Sequence, residues 1–306
     1  MTAVHTSRSV FLARCALAGA MILVGSVVVS AKFIVEQFPI LLGLGIRQVA
    51  ATAIMVAIVL LVEKRLPTFR RRDHGIILLQ TLSGVVMFNI LLLAGVERTT
   101  AAASGIITST VPAWIAVLSL AIGERITWLT MIGIAMAMGG VAVVNLAGGD
   151  NGAGEASAPL LGGVLVMGAV ISEALFTIFG KAVSGRVTPI ANCYMVCVYG
   201  SLMFLPFALW QLPGFDFGSV SASGWIALAW SAGPVMVGAF FLWFTGLRVV
   251  PANSAAVFTG LIPVSALICA AIFLGERIGW PHYVGMGCVI AAILLVARPQ
   301  RSLVEP

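Results

Sequence analysis

Two ionisable side chains stand inside runs that are otherwise apolar. Glu173 lies in the segment from Ala169 to Phe176, and Arg47 lies seven residues into the run that opens at Ile40, behind Pro39. A charge at the centre of a membrane helix costs about 2.5–3.5 kcal/mol on insertion scales, so such a residue marks a cavity or pathway by default. Three roles fit Glu173: proton acceptor, partner of a substrate ammonium, or anchor between helices. The plainer reading is an acid satisfied by Ser or backbone, or hydrated near a helix end. Arg47 sits roughly 11 Å from the outer end of its helix at ~1.5 Å per residue. It can snorkel outward, pair with Glu36 or Glu173, or face a substrate carboxylate.

Other residues complete a candidate site. Asn89 and Asn253 are polar groups in apolar helices and need partners. Phe176 is three residues from Glu173 and shares its face; Phe179 lies on a nearby one. Phe240, Trp243 and Phe244 share a face at i, i+3, i+4 spacing. That face can stack an apolar substrate or touch lipid. Pro112 and Pro263 each remove a backbone donor mid-helix, which points to gating or cavity shape, or to a static kink. Thr108, Ser109, Thr110 and Thr259 can satisfy the carbonyls so freed, and Ser109 is a candidate substrate contact. The five Cys and three His have no metal-ligand or nucleophile spacing. No Gly-x-x-x-x-Gly-Lys loop is present. Neither an enzyme, a metal nor a cofactor is expected; proton coupling through Glu173 is the one such chemistry the residues suggest.

The elements that hold these residues follow from composition. Of 306 residues, 60% are hydrophobic and 9% charged, against about 25% charged in a soluble domain. The chain is expected to be an all-α membrane protein. Spanning helices need roughly 20 apolar residues, and ten runs qualify: about 12–32, 40–62, 75–95, 100–121, 127–146, 160–182, 189–210, 223–246, 252–274 and 279–297. In the first, the stretch from Cys15 to Ala31 behind Arg8 and Arg14 exceeds the usual ~7–15 residues of a signal-peptide core and reads as a retained span. The net charge of +6 reports topology and not nucleic acid. With the N-terminus inside, thirteen Lys and Arg fall inside and three outside, as the positive-inside rule asks. Both termini are then cytoplasmic, and the 147–159 linker is external.

The chain also repeats itself. From Gly95 to Val141 there is a turn, an apolar helix with Pro112, then Gly123-Glu124-Arg125-Ile126, Trp128 and another apolar helix. From Gly246 to Ile293 the order recurs with Pro263, Gly275-Glu276-Arg277-Ile278 and Trp280. The two Gly-Glu-Arg turns read as structural, with the acid near the N-terminus of the next helix. Residues 12–146 and 160–297 thus form two five-helix repeats, followed by a cytoplasmic tail at 298–306. Five is odd, so the second repeat enters the membrane inverted. Inverted repeats recur in secondary transporters, where two halves form two gates around one midplane site. Gly and Ala at four-residue spacing, Gly133 to Ala137 and Gly287 to Ala291, permit close helix packing within a monomer or a homodimer.

At these residues the chain resembles the drug/metabolite transporter superfamily, in its EamA-type branch of ten spans and two domain copies. Pro112, Pro263, the Gly-Glu-Arg-Ile turns with their Trp, and Pro39 leading to Arg47 carry the likeness. Pro189 looks like the counterpart of Pro39, but no Arg follows it. The resemblance implies export of small metabolites from a cell inner membrane by alternating access, with amino acids, aromatic or apolar ones among them, as the leading class. A drug or other metabolite exporter and an uncoupled facilitator are the alternatives. The expected partners are a small-molecule substrate and the lipid bilayer.

Overall fold

The computed structural model describes residues 7–99, 101–147, 158–274 and 279–297, and the elements among them are helical. Ten apolar helical stretches follow in order: α1 (Arg8–Gln37), α2 (Ile40–Val62), α3 (Arg71–Val96), α4 (Ala103–Ile122), α5 (Trp128–Val143), α6 (Pro159–Val183), α7 (Pro189–Gln211), α8 (Ala222–Val249), α9 (Ala252–Phe273) and α10 (Trp280–Val296). Eight of them are long and apolar enough to cross a membrane; α5 and α10 are shorter apolar helices. The Gly275–Ile278 turn, most of the 147–159 linker and the tail lie outside the described residues.

Helix is the only open choice for such runs in lipid, where each backbone group must find a partner within its own segment. The sequence also writes the ends. Pro159 and Pro189 occupy the first turn, where proline's missing N–H is harmless. Thr188 caps α7 by accepting from the Ala191 amide at 3.2 Å. Gly123 closes α4 at φ 82°, a left-handed conformation that glycine takes freely.

The packing repeats. α2 lies along α7 and α5 along α10; α1 packs on α8 and α9, while α6 packs on α3 and α4. Moving every helix five places on reproduces the same pairs, as a two-fold relation between halves requires. The contacts are close because small residues line them. A Cβ on Gly45 would strike Ala208 across the α2–α7 seam, and one on Gly25 would lie 2.5 Å from the Ile262 carbonyl oxygen of α9. Backbone cannot yield as a side-chain tip does, and overpacking typically costs 1–3 kcal/mol or more. Gly25→Val should therefore lower the melting temperature of the detergent-solubilised protein by several degrees and reduce folded yield; an unchanged melt would refute this packing. Of the small pairs, Gly133 and Ala137 do face α10. Gly287 has open space around it and Ala291 is exposed, so they take no part in that seam.

Two pairs of helices depart from α geometry at matching places. α3 widens into π turns over Leu82–Met87, and α8 does so over Ser231–Ala239. α4 breaks at Ser109–Thr110, and α9 tightens to 3-10 over Val257–Gly260. Such irregularities are frequent at functional sites. Pro112 and Pro263 consequently do not sit mid-helix as expected. Each lies in the first turn of the helix that restarts after the break, where a proline is well tolerated. The hydroxyls bond carbonyls of the preceding turn, Thr108 to Ser104, Ser109 to Ile106, Thr110 to Ile107 and Thr259 to Ala256, and not the Thr108 and Thr259 carbonyls that the prolines leave free.

Candidate functional site

The site is built around α3, which touches both α6 and α7. On α6, Phe176 fills the space against Gly84 of α3, and Gly168 and Gly95 mark neighbouring contacts with Leu91 and Val166. The antiparallel register these set places Glu173 level with Met87, about a turn from Phe176 and close in depth to Asn89. Glu173 has Ala169, Val170, Phe176 and Thr177 one turn away on either side, all buried. Its side chain is half-buried. Among the described residues no hydrogen bond or ion pair reaches its carboxylate, so the Ser or backbone partner of the plainer reading is not among them.

Arg47 approaches from the other side. Thr52 bonds Ser201 at 2.7 Å and the Leu42 amide donates to Gln211 Oε1 at 2.9 Å; this α2–α7 register puts the Arg47 backbone level with Pro206. Its Nε is buried, so the stem of the side chain is enclosed by protein. The next residue, Gln48, meets both Gly200 of α7 and, through that position, Val85 of α3. Val85 against Gly200 puts Met87, and with it Glu173, about four residues along α7 from the Arg47 level, roughly 6 Å at ~1.5 Å per residue. They form no salt bridge: the ion pairs among the described residues are Arg98–Glu97 and Arg186–Asp73. Glu36 does not reach Arg47 either, and Arg47 Nε is buried without a partner.

Sequence reasoning passed over other buried polar atoms. Gln48 and Gln80 are wholly buried, and both ends of each amide lack a partner. Asn192 Oδ1, Ser104 Oγ and Ser231 Oγ are in the same condition. An unmet buried amide costs roughly 1–3 kcal/mol by mutational measures, so each is a place for water or a polar solute. The usable signal was in the sequence: Gln48 and Gln80 interrupt apolar runs just as Arg47 and Glu173 do.

The aromatic candidates also face inward. Trp243 and Phe244 are buried, which excludes the lipid-belt reading of that face. Phe176 lies 5.3 Å from Phe240 and 5.8 Å from Phe244 between ring centroids. A Cβ at Gly180 would meet Gln80 Nε2 at 3.0 Å and Phe244 at 3.3 Å, so amide and rings adjoin. Asn89 donates to the Val85 carbonyl at 2.8 Å, inside its own helix. Ser109 is buried beside the α4 break, whose flanks Val111 and Ile115 cluster with Val170 and Ala174 of α6. The structure thus gathers Glu173, Phe176 and Asn89 along the α3–α6 contact and sets Ser109 and Pro112 behind them. Arg47 stands across α3, Trp243 enters from α8, and Pro263 belongs to the α1–α9 side.

Three charged residues serve the frame. Lys181 donates to the Leu247 and Val250 carbonyls at 2.7 Å each, capping the end of α8 as a cation there should. Arg14 bonds the Ala297 carbonyl. Glu124 was expected to serve the next helix; instead it accepts from the Ala252 and Asn253 amides at 2.7 and 3.1 Å, at the start of α9 in the other repeat. Asn253 adds an amide bond to the Arg125 carbonyl at 3.3 Å. A charge at a helix N-terminus is favoured by its free amides. Glu124→Ala should destabilise the protein by about 1 kcal/mol, read as a fall in melting temperature; no change would show the cap to be idle.

Comparison with known proteins bears on the family and the fold. The model of the EamA-like transporter family matches residues 11–146 and 160–298. The chain is 39% identical over 287 residues to the uncharacterized transporter YetK of Bacillus subtilis (strain 168), covering 94% of this chain and 87% of that one. It is 26% identical over 234 residues to a probable terminal-alkyne amino-acid exporter of Streptantibioticus cattleyicolor, covering 75% of each. A solved crystal structure superposes with a TM-score of 0.74 over 95% of this chain and 96% of its own, at 15% identity, a likeness of fold alone. Two matched halves built of apolar helices are what a carrier needs, and this chain is a multi-pass membrane protein of the EamA-like transporter family.

Proposed function

We propose that the protein is a secondary transporter that exports small zwitterionic metabolites, amino acids foremost, by alternating access. The ten apolar helices span an inner (plasma) membrane as two inverted repeats, residues 12–146 and 160–297, joined by an external linker, with both termini cytoplasmic. The observation that carries the reading is the pair Arg47 and Glu173: opposite charges in apolar helices, backbones about one turn apart along the bundle, and neither with a partner among the described residues; the space between them is the substrate chamber of this proposal. An amino acid brings the complement of both. Its carboxylate meets the guanidinium, and its ammonium meets Glu173 when that group is ionised. Phe176, Phe240 and Trp243 offer apolar walls to a side chain. Nucleotides are disfavoured, since the chamber holds one cation. The α4 and α9 breaks, related by the two-fold pairing, are the hinges of opposite gates. The amino-acid exporter among the relatives supports this class. No nucleic acid is involved, and the working unit is a monomer or homodimer.

The test is efflux from proteoliposomes loaded with a mixed amino acid pool, with and without a pH gradient. Selective loss of one or a few amino acids is the expected result. If none leaves while a cationic dye does, the zwitterion reading is wrong and a drug exporter takes its place.

A further inference from the structure

Away from the chamber, a cavity of about 590 Å³ opens between the α2–α3 connection and the start of α7. Arg65 and Arg70 line it, together with Arg186 from the α6–α7 turn. Its acids are already engaged. Asp73 takes a bond from Arg186 Nε at 2.9 Å, and Glu63 accepts from Thr188 Oγ1 at 3.2 Å. Arg65 and Arg70 are exposed and their guanidinium groups make no hydrogen bond or ion pair among the described residues, and Lys64, Arg71 and Arg72 adjoin them, also exposed. The chain turns into this cluster through Lys64, which holds φ 56°. A long side chain in the left-handed region is uncommon, and such outliers gather at binding sites. The approach to the cavity is apolar and faces outward: Leu61 is 80% exposed at the end of α2, and Leu66, on the cavity wall, is 52% exposed.

We infer that this cavity is a binding site for the headgroup of an anionic phospholipid. The shape of the site matches the shape of the ligand. A phosphate diester with net negative charge sits between Arg65 and Arg70, while its acyl chains run along the lipid-facing leucines of α2. Basic residues beside a membrane helix attract anionic lipid at about 1 kcal/mol each. Even dispersed, they would draw lipid to the surface; the cavity and the turn at Lys64 make a defined place for one molecule. Because Arg186 binds Asp73 at the same mouth, a lipid there also ties the two connections together.

The test uses the full-length protein purified in detergent, with native mass spectrometry of retained lipid after mixing with phosphatidylglycerol or phosphatidylcholine. Wild type should retain phosphatidylglycerol selectively. Arg65→Gln with Arg70→Gln should weaken retention roughly thirty-fold, at about fivefold per cation, with the melting temperature unchanged. Arg71→Gln with Arg72→Gln removes equal charge outside the cavity and should have a clearly smaller effect. Equal retention by wild type and the cavity variant would overturn the site, as would equal weakening by both variants, which would reduce it to surface charge. Displacement by inorganic phosphate as effective as by phosphatidylglycerol would make it a soluble-phosphate site and overturn the lipid.

Discussion

Glu173→Gln should abolish gradient-driven accumulation of substrate in a protein that still folds. The substitution is nearly isosteric and removes a charge that has no protein partner, so it breaks no internal bond. Its melting temperature should stay within a few degrees of wild type. What it removes is a half-buried carboxylate at the depth where α3 carries its π turns. Loss of a desolvated charge contact costs about 2–5 kcal/mol, hence at least a roughly thirty-fold fall in transport at low substrate concentration. Two assays separate the roles. If Glu173 carries the proton, exchange of labelled for unlabelled substrate continues in the variant while pH-driven accumulation stops. If Glu173 holds the ammonium, exchange fails too. Accumulation that proceeds at the wild-type rate in Glu173→Gln would remove the residue from the mechanism.

The fold was legible because the membrane leaves few alternatives. Apolar runs had to be helices, and the recurrence of Pro, Gly-Glu-Arg-Ile and Trp in step announced a duplicated half before any contact was known. Both family-model segments and the pairing of helices five places apart follow from that one repeat. What the sequence left open concerns direction and partners. Where a long side chain such as that of Arg47 finds room is decided by the packing of neighbouring helices, which the sequence does not state; the same packing sets Gln48 against Gly200 of α7. Glu124 was assigned to the nearest helix in sequence, yet the start of α9 lies nearer in space. Gln48 and Gln80 escaped notice because a neutral amide in an apolar run attracts less attention than a charge. In a low-dielectric interior it is nonetheless a demand for a partner. The α8 aromatic face was ambiguous because i, i+3, i+4 spacing gives a stripe without saying whether lipid or protein lies opposite.

Arg47→Gln should show the opposite signs for stability and activity. A buried guanidinium nitrogen without a partner is a burden on the fold, since desolvation is incurred and no ion pair offsets it. Replacing it with a neutral side chain should leave the melting temperature unchanged or raise it. The same change should raise the apparent KM for a zwitterionic substrate at least roughly thirty-fold, the effect of about 2 kcal/mol or more for a lost carboxylate contact. An amino acid amide or ester, which lacks the carboxylate, should lose little. Arg47→Lys should rescue only weakly, because a point charge on a flexible stem does not reproduce the planar fork that grips a carboxylate with two bonds. A residue that merely held α2 to α7 would behave otherwise: its loss would lower the melt and weaken zwitterion and amide alike. That outcome would assign Arg47 to the frame. The expected one would mark a position where stability is given up for a substrate's charge.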